Sequence, residues 1–339
     1  MNSDLIKQLF QSFLNKDNDS FLKAANEIIK NEERKKHRIL VKELKEILND
    51  NGNIGIPSEA YQKRFKENLH IPRDAEKGFP LLEIKEFHLD WPDVILANDI
   101  VSALSRIIQE YDKSEILATY GIKPKQKLLF CGLPGTGKTL TAQLMSSLLG
   151  YPMVYIRFDS IVSSYLGETA TNLRKIFDFF EQGRWVVFFD EFDVIGKHRD
   201  DHYEHGEIKR VVNNFLLMLD NFTGDSLLIA ATNHQHLLDP ALWRRFDEIL
   251  YFDIPDEKRR ILIFEKYLTV ITKGNSLDIK KLSKQTDGMT PSDIALICFE
   301  SIKNSVLSDR NRVEMDDLTF AIMEQKRRKD IKGRTNGVK

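Results

Sequence analysis

Apolar and polar positions change period several times along the chain, and each change marks a unit. Through residues 1–50 apolar residues recur at helical spacing in three short blocks: Leu5, Ile6, Leu9, Phe10 and Phe13; Phe21, Leu22, Ala25, Ile28 and Ile29; Ile39, Leu40, Leu44, Ile47 and Leu48. Each block carries one apolar stripe that it cannot bury alone, so the pattern predicts a small N-terminal helical domain. The turn-rich stretch Asn49-Asp50-Asn51-Gly52-Asn53-Ile54-Gly55 breaks it, and Pro57, Pro72 and Pro80 give residues 51–90 the reading of a linker. Helical spacing returns from Pro92 to Ile108. From there to about residue 254 short apolar runs suited to buried strands alternate with amphipathic stretches, the signature of an α/β sandwich with a parallel sheet. After Phe252-Asp253-Ile254-Pro255 the period is helical throughout, as in Ile261, Ile263, Phe264, Tyr267 and Leu268, then Ile294, Leu296, Ile297 and Phe299, then Leu318 and Ile322. Thr290-Pro291-Ser292-Asp293 supplies a cap residue followed by proline at the first helical turn. Residues 255–325 therefore read as a separate helical unit, and 326–339, opening Lys326-Arg327-Arg328-Lys329, as a disordered, solvated basic tail.

Two of the buried runs end in residues that carry chemistry. Lys127-Leu128-Leu129-Phe130-Cys131 leads into Gly132-Leu133-Pro134-Gly135-Thr136-Gly137-Lys138-Thr139-Leu140. Glycines at this spacing let the backbone curl round an anion at a helix N-terminus; Lys138 adds a point charge for β- and γ-phosphates, and the Thr139 hydroxyl can ligate Mg²⁺. The second run, Trp185-Val186-Val187-Phe188-Phe189, ends in Asp190-Glu191. Adjacent carboxylates at the C-terminal end of such a strand can divide the work: Asp190 for the metal, Glu191 to polarise a water for attack on the γ-phosphate. The alternative reading of each, a chance glycine turn and a solvated acidic strand end, loses weight because the two motifs occur together.

On these residues the chain resembles the AAA+ ATPases, and within them the AAA group of protein remodellers, over about residues 90–325. The resemblance implies a P-loop NTPase three-layer sandwich at 91–254, a lid at 255–325, and ATP with Mg²⁺ as its ligands. Leu227-Leu228-Ile229-Ala230-Ala231-Thr232-Asn233 is similar to the family's sensor-1 strand, with Asn233 orienting the attacking water. Leu238-Asp239-Pro240-Ala241-Leu242-Trp243-Arg244-Arg245-Phe246-Asp247 resembles its arginine-finger segment, shortened between the arginines. There the family's arginines reach the neighbouring subunit's γ-phosphate; Arg245 is the first choice, with Arg244 beside it. Either has the alternative of pairing with Asp239, Asp247 or Glu248 in its own subunit.

Ser163-Ser164-Tyr165-Leu166-Gly167-Glu168-Thr169 resembles the first pore loop of AAA unfoldases, in which an aromatic and an aliphatic side chain grip an extended polypeptide. An aromatic face suits that task because it offers large apolar area with little entropy to lose. Tyr165 and Leu166 have the alternative of anchoring the loop to its own core. Glu207–Asp220 resembles the helix ahead of sensor 1, and ordinary amphipathic packing explains it equally well. Val94 and Ile95 fall where the family packs its adenine, although the Gly-Gly pair of that region is missing. At the lid site Ser292 and Asp293 match the family pattern while its glycine does not, and no arginine stands at the second-sensor position. His202 and His205 lack accompanying cysteines and do not read as a zinc site.

Charge narrows the function classes. Lys plus Arg number 50 against 51 Asp plus Glu, a net charge of −1, so no global basic field draws the chain to nucleic acid or a membrane. Two cysteines, Cys131 and Cys298, fit a reducing compartment, and with no secretory or spanning segment the expectation is a cytoplasmic protein. The resemblance implies a homo-oligomeric ring, a hexamer, that pulls a protein substrate through its pore. A second reading is an ATP-dependent assembly switch that recruits a separate effector, such as the protease that accompanies some bacterial AAA ATPases in phage defence. A nucleic-acid remodeller comes third.

Overall fold

The computed structural model describes residues 23, 27, 71–74, 78–156, 166–192, 205–238, 240–270, 272–273 and 277–336. The chain divides into two units, Met1–Leu69 and His70–Lys339, of which the second carries the sheet and the lid. The N-terminal helical domain expected at residues 1–50, apart from Lys23 and Glu27, the first part of the expected linker, Tyr165 of the expected pore loop, and His202 lie outside the described residues.

A six-stranded sheet forms the centre. Its strands are β1 (Leu82–Lys85), β2 (Lys127–Gly132), β3 (Met153–Ile156), β4 (Val186–Phe189), β5 (Leu227–Thr232) and β6 (Glu248–Phe252). They lie in the order β1-β3-β4-β5-β2-β6, all pairs parallel except β1 with β3. Three of the four interior strands, β2, β4 and β5, are almost wholly buried, which is why they read as unbroken apolar runs. The edges differ: β6 alternates, with Leu250 and Phe252 inward and Ile249 and Tyr251 exposed. The segment read as linker thus contributes β1 to the sheet, so the sandwich begins ahead of residue 91. The alternation Leu-Glu-Ile-Lys is too short to announce an edge strand.

Alternation along the strands sorts their side chains between two helical layers. Phe188 of β4 joins Leu128, Phe130, Ile229 and Ala231 in a core closed by α1 (Asn98–Asp112) and, after the short α2 (Ser114–Thr119), by α3 (Lys138–Leu149) through Ile100, Leu104, Ile107, Ala142 and Met145. Phe189 points the other way, into an aromatic cluster with Phe177 and Phe180 of α4 (Leu166–Glu181) and Phe215 of α5 (His205–Asn221); Phe189 and Phe215 stack edge-on at 5.3 Å. Edge-to-face rings add to the area term that buries this face.

After the four-residue α6 (Pro240–Trp243), a second, smaller core forms the lid. It joins α7 (Glu257–Tyr267), α8 (Ile279–Gln285), α9 (Pro291–Leu307) and α10 (Met315–Asn336), with β7 (Thr272–Lys273) pairing β8 (Arg312–Val313). Asp256, Asp278 and Thr290 cap α7, α8 and α9, and at α9 the expected cap Thr290 and the proline after it are joined by a capping box with Asp293. The basic run read as a disordered tail is instead helical as far as Asn336, with Lys329 paired to Asp293 at 2.7 Å. A face that touches the lid holds the helix, and counting charges does not reveal such a face. No helix among the described residues is long and apolar enough to cross a membrane.

Candidate functional site

Three stretches meet at the C-terminal end of the central strands. Cys131 lies opposite Thr232 and Phe189 opposite Ala230, so the loops after β2, β4 and β5 emerge at one end of the sheet. They carry Gly132–Thr139, Asp190–Glu191 and Asn233.

The glycine loop is shaped for close approach. Gly132, Gly135 and Gly137 have φ of 145°, 79° and 104°, conformations that side chains disfavour. A Cβ on Gly132 would stand 2.3 Å from the Phe252 carbonyl oxygen of the adjacent strand, so the chain can leave the sheet there only without a side chain. Pro134 lies exposed on the turn, and the buried Thr136 closes it by donating its hydroxyl to the Leu133 carbonyl at 2.8 Å. Lys138 is buried, its ammonium donating to the carbonyls of Gly132 and Leu133 at 2.7 and 2.9 Å. Thr139 and Leu140 continue into α3, whose N-cap is Gly137 and which no side chain caps. An uncapped helix start behind a loop of left-handed glycines, with a buried ammonium beside it, fits a phosphate chain.

Thr139 and Asp190, both read from the sequence as candidates to hold the metal, lie together: the hydroxyl donates to Asp190 Oδ2 at 3.3 Å. A hydroxyl and a carboxylate oxygen are hard donors of the kind Mg²⁺ takes, so these residues fit the ion. Glu191 is exposed beside them with φ at 48°, left-handed for a non-glycine residue, and its N–H donates to Asp190 Oδ1 at 2.9 Å. Strain of this kind, about 1–3 kcal/mol, persists where the surroundings enforce it, and it gathers at functional sites. Asn233 is half-buried at the end of β5; Thr232 accepts the His234 N–H on its hydroxyl at 3.0 Å and so fixes the turn that presents Asn233.

Sequence reasoning missed Tyr155. Burial pushes its phenol up to about 12, the Asp190 charge adds to this, and a hydrogen bond with Thr139 opposes it. The phenol therefore adjoins the candidate metal ligands, and its ring lies edge-on to Phe188 at 5.1 Å. A lone tyrosine in a short strand gives no sign of that neighbourhood. Cys131, also close to the loop, is inert: burial raises its thiol to about 11 despite Lys138, leaving it protonated at neutral pH.

The lid seats directly on the loop. Ser292 N–H at the start of α9 donates to the Gly135 carbonyl at 3.1 Å, and a Cβ on Gly135 would meet Ser292 Cβ at 2.9 Å. Asp293 accepts from Gln325 and pairs with Lys329, both at 2.7 Å, which ties α10 to the same corner. Burial alone would raise the Asp293 carboxyl, but hydrogen bonds from Lys329, Thr290 and Gln325 outweigh this and hold it below the usual range. Val94 is buried, and Ile95 packs on the lid core while Trp91 and Leu96 pack on the sheet core. Val94 and Ile95 thus sit at the junction between the two.

The arginines stand elsewhere. Both precede β6, which runs parallel to β2, so they lie at the end of the sheet opposite the glycine loop. A strand rises about 3.3 Å per residue, which puts the two ends of β2 ~17 Å apart. Arg245 is engaged within its own subunit: Nε donates to both Asp220 carboxylate oxygens at 2.9 Å, and Nη1 donates to the Ala241 carbonyl at 2.7 Å. Arg244 is exposed. The local ion-pair alternative thus describes Arg245, with a partner 25 residues upstream in place of the three acids near it in sequence. Leu166 is the first residue of α4.

Comparison with known proteins identifies the family. Residues 128–254 match the family model described as ATPase family associated with various cellular activities (AAA), and residues 276–320 match the AAA+ lid domain. An uncharacterized AAA family ATPase of Sinorhizobium fredii, y4kL, is 35% identical over 96% of this chain and 96% of its own length. Proteasome-activating nucleotidases of Methanopyrus kandleri and Saccharolobus solfataricus are 30% and 34% identical over 74% and 61% of the chain. The chain spans 60% and 55% of the length of those two nucleotidases.

Proposed function

The chain belongs to the AAA family of ATPases, and from that premise we propose that it works as a ring, most simply of six subunits, that hydrolyses ATP between subunits to remodel or unfold protein substrates. The observation that carries the shared site is the placement of Arg244 and Arg245. At the far end of β2 from the phosphate loop, neither can reach the nucleotide of its own subunit, whereas the face-to-back packing of a ring would bring that end to a neighbour's site.

Within one site each residue has a separate task. Gly132, Pro134, Gly135, Thr136, Gly137, Lys138 and Leu140 shape and charge the phosphate cradle. Thr139 and Asp190 would hold Mg²⁺, which when bound supplies charge neutralisation to the phosphates. Glu191 accepts the proton of a water held by Asn233; the water oxygen bonds to the γ-phosphorus as the bond to the β-phosphate oxygen breaks, giving ADP and phosphate. The neighbour's arginine stabilises the charge spread over the transferred group. Because Arg245 is spent on Asp220 and Ala241, we place Arg244 first in that role.

Two features support work on protein. Leu166 opens α4, and this helix is buried against the sheet by Leu173, Ile176 and Phe180, so displacement of the helix would carry Leu166, the chain neighbour of Tyr165. The nucleotidase relatives are named for activating proteasomes, which fits an ATPase that handles polypeptides. Replacing Tyr165 with alanine is expected to cut substrate processing at least about tenfold, since an aromatic anchor is worth about 2 kcal/mol, while ATP turnover persists. Processing is read with a fluorescent substrate protein that loses signal on unfolding. Unchanged processing would remove the threading step.

One observation favours the assembly-switch reading as a second possibility. Asp293 links the loop-facing start of α9 to α10, whose Phe320, Met323 and Ile331 are exposed, giving a nucleotide-linked element a surface on which an effector, such as a protease, would be recruited. In that case Tyr165→Ala leaves effector activation intact.

A further inference from the structure

Arg244 is useful to a neighbour only if its turn is fixed in space, and the structure supplies three fastenings around it. Arg245 is tied to Asp220 of α5. Phe246 is buried, its ring edge-on to Phe192 at 6.1 Å. The third is Asp247, whose Oδ2 accepts the N–H groups of Gln126 and Lys127 at 2.8 and 2.9 Å, while its own N–H donates to the Lys127 carbonyl at 2.7 Å. Beside it Lys125 pairs with Glu248.

These bonds lie just ahead of the point where the β2–β6 ladder begins, at Leu128 opposite Glu248. Two backbone donors at the start of β2 are met by one carboxylate oxygen in place of water. The result is a connection of three hydrogen bonds. The strand that ends in the phosphate loop is bonded, at its first residue, to the residue that closes the arginine turn.

We propose that Asp247 is a positioning residue for the arginine that acts on the neighbouring subunit's ATP: it fastens the Arg244–Phe246 turn to the N-terminal end of β2 and has no part in the nucleotide site of its own subunit. This rests on the shared-site reading. A misplacement of about 1 Å can cost 10²-fold in rate, so Asp247→Ala is expected to lower ATP turnover about 10²-fold while affinity for a fluorescent ATP analogue is unchanged. Asp247→Asn, which still offers one acceptor oxygen, is expected to keep most of the activity. Asp247→Glu keeps the charge on a longer arm and shifts the turn, so it serves as the inactive variant if the alanine protein fails to fold.

Mixed assemblies decide the matter. Asp247→Ala subunits retain a sound nucleotide site, and Lys138→Ala subunits retain a sound arginine turn, so mixing two nearly inactive proteins is expected to restore turnover. Arg244→Ala mixed with Lys138→Ala is the reference. Recovery in both mixtures supports the assignment. Recovery in the reference alone overturns it, because Asp247 then acts within its own subunit, and the shared-site reading survives. Recovery in neither overturns the shared site and the assignment with it.

Discussion

Arg244→Ala is expected to lower ATP turnover by about 10³–10⁵-fold, the range a trans arginine contributes in phosphoryl transfer, with nucleotide affinity little changed. The side chain is exposed and lies at the end of the sheet opposite its own phosphate loop, so its removal leaves the cradle, Asp190 and Asn233 in place. What is lost is a donor that meets charge in the transition state of another subunit. Arg245→Ala also slows turnover, by a different route, because Asp220 loses its partner and the turn loosens. That ion pair is partly exposed and contributes no more than about 1 kcal/mol to stability, so the Arg245 variant stays folded and its defect reflects position. Steady-state phosphate release, alongside analogue binding, separates the cases. Weakened analogue binding with unchanged turnover at saturation in Arg244→Ala would place that residue in its own subunit's site.

Glu191→Gln is expected to bind ATP normally and to turn it over about 10²–10⁴-fold more slowly, the span attributed to a positioned general base. The amide has nearly the shape of the carboxylate but cannot take a proton from water. It also keeps the hydrogen bond from residue 191 N–H to Asp190, so the left-handed backbone at φ 48° carries over to the variant. Single-turnover measurement with preloaded ATP isolates the chemical step; normal single-turnover rates would assign the base elsewhere.

Much of the central sheet was legible because buried parallel strands leave unbroken apolar runs. Lys127–Cys131 and Trp185–Phe189, and Leu227–Thr232 through the family resemblance, each ended in residues the fold brings to one end of the sheet. The start of α9 was legible for a local reason: cap and proline are adjacent in the chain. What escaped depends on contacts between distant residues. β1 shows only when Leu82–Lys85 meets Met153–Ile156 antiparallel. The helical run beyond Lys326 looks like a solvated tail until Lys329 reaches Asp293. Arg245 selects Asp220 on α5 over nearer acids, and Tyr155 adjoins Thr139 and Asp190 only once β3 lies beside β4. Asp247 read as one of several local ion-pair partners, yet its oxygen serves backbone donors about 120 residues upstream.

The shared site is tested most directly by ATP turnover against protein concentration, for the wild type and Arg244→Ala, with particle mass in ATP followed by light scattering. Specific activity that rises cooperatively as the particle reaches ring mass, and that stays flat in the arginine variant although it assembles, is the expected result. Concentration-independent turnover by a monomer would contradict the shared site and remove the trans arginine and the pore together.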